Sequence, residues 1–391
     1  MELPKFTRAF LNLTNACNLR CRYCFVKQQS DYMSWQVAKD AADMLLDNAA
    51  EVGARPDITF FGGEPLLMWD KIIKPLVAYI RSERKSNSIL SITTNGTLLT
   101  EEMLRYMKEN QVGILFSIDG ARETQDHNRP AANGESSFDM LAENVDRIIR
   151  YFPNTIFRST AIPETCHHTW ENIQFAIGRG YKTFFTMPNV FEEWNGERRA
   201  VLAEQIHKYS EYYVGCYRCG ETPVKFNTME RIMKRVRDIN NAVKHDRYRT
   251  TYYCTACGKC GIGSGTSCSI APNGDIYTCQ EMPSNCGRDS AFHIGSIYEG
   301  VNVAKRLNLV ESYDPAKARG GDCGKCKLSR ICDGGCAANN YLINRDIHIS
   351  AEVYCWWQQL LLGEVEWMIR VLGEERNEPF REYWRSINRG R

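Results

Sequence analysis

Seventeen cysteines in a chain of 391 residues constrain this sequence most, because they come in spaced groups. A disulfide scaffold is usually small, secreted and even in cysteine count. This chain is long and odd in count, and Met1-Glu2-Leu3-Pro4-Lys5-Phe6 lacks the apolar core of a signal peptide. Metal ligation in a cytoplasmic protein is therefore the expected use of the thiols. Cys17, Cys21 and Cys24 form C-x3-C-x2-C in one loop. Three thiolates so close together converge more easily on one centre than they pair as disulfides. A structural zinc ion normally takes four ligands, and no fourth Cys or His lies nearby in sequence, with Cys166, His167 and His168 far along the chain. Three thiolates on an iron–sulfur cubane instead leave one iron uncapped and open to a ligand.

Length and periodicity set the frame for that loop. At roughly 150 residues per domain the chain divides into two or three domains. The formal charge of +2 steers it to neither nucleic acid nor anionic lipid, and no apolar run approaches the ~18 residues of a membrane span. β-rich runs at 7–13, 57–61, 89–94, 114–118, 155–161 and 183–187 alternate with amphipathic stretches at 34–50, 70–85, 101–110, 138–152, 169–179 and 198–214, with Ser34 and Thr100 placed as N-caps. Six strand–helix units in series predict an α/β fold: a partial (β/α)6 TIM-type barrel over residues 1–215, open because six is fewer than eight. A basic helical connector follows at 216–253. Residues 254–391 are rich in Cys and Gly and poor in long periodic segments, so metal clusters are expected to organise them, with a last helix near 355–372. The connector's bland reading is a solvated helix face. The sharper one is a docking surface for an acidic peptide, with Arg231, Lys234 and Arg235 as its core.

The triplet, followed by Phe25, resembles the radical S-adenosylmethionine (radical SAM) superfamily. Phe61-Gly62-Gly63-Glu64-Pro65 is similar to that family's GGE segment, Thr93-Thr94-Asn95-Gly96 to its TNG segment, and Ser117-Ile118-Asp119-Gly120 to its SxDG segment. Each motif alone is weak, since Gly-Gly and Asn-Gly usually mark turns. Four in order at strand C-termini, where parallel α/β folds bind ligands, are specific. The resemblance implies a 4Fe–4S cluster on Cys17, Cys21 and Cys24 that chelates SAM. It implies that the Gly62-Gly63 backbone and Glu64 hold the methionine amine, and that Ser117 and Ser159 face the ribose or carboxylate. Asn95 and Arg129 join the cofactor site, Tyr23 packs near the adenine, and Asp119 either acts there or supports the loop.

The later cysteines resemble the SPASM extension of such enzymes. Cys260-x13-Gly274-x4-Cys279 precedes Cys323-x2-Cys326-x5-Cys332-x3-Cys336-x18-Cys355. The resemblance implies two auxiliary 4Fe–4S clusters, making three in all. One would be held by Cys260, Cys268, Cys279 and Cys336, the other by Cys323, Cys326, Cys332 and Cys355. Cys254, Cys257 or Cys286 are alternatives to Cys268. The pairs Cys216-x2-Cys219 and Cys254-x2-Cys257 have knuckle spacing and suit an additional metal; free thiols packing a loop are the plain alternative.

SPASM members mostly modify peptides or proteins, which implies a peptide substrate and an electron donor such as flavodoxin or ferredoxin. Crosslink formation on a ribosomally made peptide is the expectation; formylglycine formation on a sulfatase and oxidation of a small alcohol are the alternatives. A non-enzymatic metal-binding module is the reading outside enzymology. Sulfatase-maturing members carry Asp directly after the cysteine matching Cys279, where this chain has Gln280 and then Glu281. Gln280 cannot take a proton. Glu281 serves as a base only if its side chain faces the substrate cavity. About six residues precede the first strand, leaving no room for the leader-binding domain of many relatives, so the connector is expected to bind any leader.

Overall fold

The structure is a computed structural model that describes residues 3–244, 261–313, 323, 325–329, 332 and 334–387. Cys254, Cys257 and Cys260 lie outside the described residues, as does the end of the connector.

Six strands carry the first half: β1 (Arg8–Asn12), β2 (Asp57–Phe61), β3 (Ile89–Thr94), β4 (Val112–Phe116), β5 (Phe157–Ala161) and β6 (Thr183–Pro188). β1 to β4 pair in parallel and in sequence order, with Arg8 opposite Asp57 and Asp57 opposite Ile89. β5 and β6 pair in parallel beside them. The seam between β4 and β5 is a single parallel bridge, Ser117 to Arg158, closed by the Ile118 amide donating to the Arg158 carbonyl at 3.0 Å. Side chains from all six strands line one cavity, among them Phe10, Phe61, Thr93, Leu115, Arg158 and Met187, so the sheet curls into the expected partial barrel.

The helices follow from spacing and caps. α1 (Trp35–Glu51) buries Val37, Ala38, Ala41, Ala42, Leu45, Leu46 and Ala49, a single apolar stripe, and Ser34 caps it by accepting from the Val37 amide. Thr100 caps α3 (Glu101–Glu109) in the same way, through the Met103 amide. Between them α2 (Lys74–Ala78) is continued on both sides by π-type turns, Trp69–Ile73 and Tyr79–Glu83. α5 (Ser137–Tyr151), α6 (Thr169–Gly178) and α7 (Gly196–Arg218) complete the outer layer. α4 (Arg122–Asn128) was not expected: its sequence, RETQDHN, offers no apolar period. α7 runs through Cys216 to Arg218, past the end expected at 214.

The Cys-rich region departs from expectation. It holds four short strands: β8 (Ser267–Ile270), β9 (Asp275–Tyr277), β10 (His293–Ser296) and β11 (Gly300–Val301). β8 pairs in parallel with the free side of β1, Ala9 opposite Cys268, and β9 to β11 continue antiparallel. The result is one eight-stranded sheet with β1 in its interior. A two-residue strand, β7 (Lys225–Phe226), extends β6 and leads into the connector helix α8 (Asn227–Lys244). The last helices include α12 (Glu352–Glu374), longer than the expected 355–372, and it packs on α7 and α8. Among the described residues no helix is long and apolar enough to cross a membrane.

Candidate active site

The loop after β1 delivers Cys17, Cys21 and Cys24 to the wall of a cavity of about 420 Å³ at the C-terminal ends of the strands. Two glycines decide how that loop sits. Gly62 has φ +138°, and a Cβ on it would lie 2.2 Å from the Thr14 carbonyl oxygen; a Cβ on Gly63 would lie 2.2 Å from that of Ala16. Only residues without side chains let the two backbones meet. The Gly63 amide then donates to Thr14 O at 2.8 Å and the Glu64 amide to Ala16 O at 2.9 Å. Gly62 and Gly63 line the cavity as well as clasping the cysteine loop.

Glu64 is fully buried. Its Oε1 accepts from the Leu66 amide at 3.0 Å and the Thr94 hydroxyl at 2.7 Å, and its Oε2 from the Asn95 amide at 2.8 Å. Burial raises its pKa to about 7 against those three donors. Its carboxylate thus ties the end of β2 to the end of β3. Asn95 passes the link on: its Nδ2 donates to Asn18 Oδ1 at 3.0 Å and lies 3.8 Å from Cys17 Sγ.

A second buried carboxylate holds the other side. Asp119 accepts from the Tyr23 hydroxyl at 2.6 Å, Asn128 Nδ2 at 3.0 Å, the Thr160 amide at 3.0 Å and Arg129 at 3.1 Å. It does not line the cavity; Tyr23 and Arg129 do. Arg129 lies over the Tyr23 ring at 5.2 Å and reaches Cys21 Sγ at 3.9 Å. Burial pushes the Tyr23 phenol well above its usual range. Ser117 lines the cavity beside them. Ser159 does not. Alternation along β5 turns it to the opposite face, where its hydroxyl donates to Phe185 O at 3.4 Å beneath α6, while Arg158 and Thr160 face the large cavity. The sequence expectation for Ser159 placed it on the wrong face of its strand.

The three thiols fit an iron–sulfur centre. Burial raises Cys17 to about 11 and Cys21 to about 12, and each of the three is raised further by a neighbouring thiol or carboxylate. Thiols that crowd and repel in this way become thiolates once a cationic centre compensates them. N–H groups already point at sulfur: the Leu19 amide lies 3.4 Å from Cys17 Sγ. Among the described residues no group of three His, Cys, Asp or Glu is gathered for a single metal ion.

The far wall comes from the C-terminal region. Gln280 and Glu281 both line the cavity, and the Asn285 side chain bridges the Glu281 and Phe25 carbonyls at 2.7 and 3.5 Å. Burial raises Glu281 to about 7, with Arg158 opposing. Sequence reasoning named Glu281 but missed Arg158, whose signal was the β5 alternation. Of the auxiliary thiols, Cys323 and Cys326 are close enough to raise Cys355 after its burial has done so. Cys268 lies in β8, fully buried, its Sγ 3.8 Å from the Arg8 carbonyl. Cys216 is buried near the end of α7 and Cys219 is exposed.

Comparison with known proteins agrees with this geometry. The radical SAM superfamily model matches residues 11–176. The chain is 36% identical over 338 residues to an uncharacterized protein of Methanocaldococcus jannaschii, covering 85% of this chain and 95% of that one. It is 21% identical over 353 residues to the cysteine-type anaerobic sulfatase-maturating enzyme of Clostridium perfringens, covering 85% and 89%. Its fold is similar to native anSMEcpe with bound AdoMet and Cp18Cys peptide, at TM-score 0.70 and 18% identity over 94% of this chain and 99% of that one. It is also similar to Streptococcus suis SuiB bound to precursor peptide SuiA, at TM-score 0.59 and 15% identity over 90% and 76%.

Proposed function

Since the chain belongs to the radical SAM superfamily, we propose that it is a peptide maturase that forms a thioether or C–C crosslink in a ribosomally made peptide. With SAM and its 4Fe–4S cluster bound, the family's chemistry supplies a 5′-deoxyadenosyl radical that takes a hydrogen atom from the substrate. In this reading Cys17, Cys21 and Cys24 hold the cluster, and Gly62, Gly63, Asn95, Ser117, Tyr23 and Arg129 form the cofactor wall. Glu64 and Asp119 are positioning residues, their oxygens engaged by the protein itself. The organisation is a barrel at 1–215, a connector at 216–253 and an auxiliary-cluster region at 254–391. Two further clusters fall to Cys260, Cys268, Cys279 and Cys336, and to Cys323, Cys326, Cys332 and Cys355. Cys286, on the Cys279 loop, is the alternative to buried Cys268. Cys216, Cys219, Cys254 and Cys257 are proposed as a further metal site.

One observation carries the reading: Glu281 shares a cavity with the three cysteines. Closing a crosslink removes two hydrogens. One leaves as an atom; the other leaves as a proton, for which Glu281 is the acceptor, and an electron, which passes to a redox carrier of the flavodoxin or ferredoxin class. The second reading, formylglycine formation on a sulfatase, also needs a base here. Gln280 cannot supply it, but Glu281, one residue later, faces the cavity. The test is anaerobic incubation of the reconstituted enzyme with SAM, reductant and two substrates: a short peptide encoded beside its gene, and a sulfatase-motif peptide. Loss of two hydrogens' mass from the first supports crosslinking. Formylglycine in the second, with the first unchanged, replaces it by the sulfatase reading.

A further inference from the structure

Below the active-site cavity lies a second one, of about 400 Å³, at the N-terminal side of β4, β5 and β6. Leu115 and Arg158 line both, so the two cavities share a wall. Asn227 and Arg231, from the first turns of α8, the connector read as basic from sequence, line it as well. Ile114, Ile156 and Phe185 make its sides apolar, and no acidic side chain among the described residues lines it.

Among the described residues its two arginines have no hydrogen-bonded acceptor. The Arg158 guanidinium stacks 4.7 Å above the Phe185 ring, and no described side chain forms a hydrogen bond or salt bridge with it; Glu281 acts on it only at longer range. Arg231 likewise has neither bond among the described residues and is exposed. Arginine is favoured where a planar anion is gripped by paired N–H groups, and a guanidinium on an aromatic face is already oriented for it. Apolar sides with two arginines fit an anion carried on an apolar body.

We propose that this lower cavity binds a carboxylate of the substrate peptide between Arg158 and Arg231, fixing the register of the residue that reacts above. The inference rests on the peptide-modifying reading and specifies what that peptide must carry: an acidic side chain beside an apolar residue, or a chain terminus. Arg231 would be a specificity residue distant from the chemistry.

The test uses the anaerobically reconstituted full-length holoenzyme and saturation-transfer NMR with calorimetry. The probes are N-acetylphenylalanyl-glutamate α-amide for a side-chain carboxylate, N-acetylphenylalanine for a terminal one, the uncharged amide of each, and inorganic phosphate. We expect a carboxylate probe to bind, its amide to bind at least about tenfold more weakly, and Arg231→Gln to weaken the acid about tenfold while Arg231→Lys retains most of the affinity. The tighter of the two acids identifies the source. Equal binding of acid and amide, unchanged binding in a normally melting Arg231→Gln, or binding of phosphate alone overturns the proposal. The acid–amide comparison on the unaltered enzyme decides the matter even if a variant fails to fold. 5′-Deoxyadenosine formation, read separately with SAM and reductant, reports the radical chemistry. Its absence with carboxylate binding intact sinks the functional reading; its presence without carboxylate binding sinks this one.

Discussion

The Tyr23 hydroxyl donates to Asp119 at 2.6 Å, so the cysteine loop and the end of β4 are joined through a carboxylate that stays out of the cavity the cysteines line. Asp119 also neutralises Arg129, a buried guanidinium that reaches it through an Nη at 3.1 Å and whose Nε has no hydrogen-bond partner among the described residues. Asp119→Ala therefore strands a buried charge, and a loss of about 3 kcal/mol or more is expected, against about 1 kcal/mol for Tyr23→Phe, which removes one hydrogen bond. Anaerobic urea denaturation of the two variants checks this; equal losses would mean that Arg129 does not depend on Asp119.

Gly63→Ala puts a methyl group 2.2 Å from the Ala16 carbonyl oxygen, against backbone rather than the end of a flexible side chain. The cysteine loop must shift, and the clash is expected to cost the protein its SAM-binding cluster. Iron content and the visible iron–sulfur absorbance of reconstituted Gly63→Ala should both fall relative to Ala substitution at exposed Gly178, where an added Cβ meets nothing within 4 Å. Unchanged absorbance would place the close approach elsewhere.

Burial raises Glu64 from its ordinary 4.5 to about 7 in the folded chain. A carboxyl whose folded pKa is raised contributes its full stability below about 4.5 and loses it as pH rises through about 7. The shift amounts to roughly 3 kcal/mol as an upper figure. Denaturation midpoints of the holoenzyme should fall across that window, and Glu64→Gln, which cannot ionise, should flatten the slope. A variant with the parental slope would assign the pH dependence to another group.

Glu281→Gln keeps the size of the side chain and removes its ability to accept a proton. Cofactor cleavage should persist while peptide product falls by about a hundredfold, the low end for loss of a general base. The two products are read together by mass spectrometry. A parallel fall in 5′-deoxyadenosine would show that Glu281 serves cofactor binding instead.

The barrel was legible because its strands are short apolar runs in series with capped amphipathic helices. The 57–61 and 89–94 runs coincide with β2 and β3. Ser159 was misplaced because a strand's facing depends on one residue of register, which composition does not carry. Its neighbours Arg158 and Thr160 hold the positions expected of it. Strands β8 to β11 were hidden for a different reason. They have two to four residues each, too few for a period, and β8 gains its place by pairing with β1, more than 250 residues earlier. Glu64 was expected to hold the methionine amine because the family resemblance implies it; its burial among three donors is a tertiary fact with no local trace.

The pairing of β8 with β1 has a consequence for anyone wishing to dissect this molecule. Removing the cysteine-rich half would strip one flank from the strand that feeds the catalytic loop, leaving its amides and carbonyls bare. Such a fragment should be an aggregating stub rather than a miniature enzyme, so the two halves are best regarded as one inheritance unit, expressed and lost together.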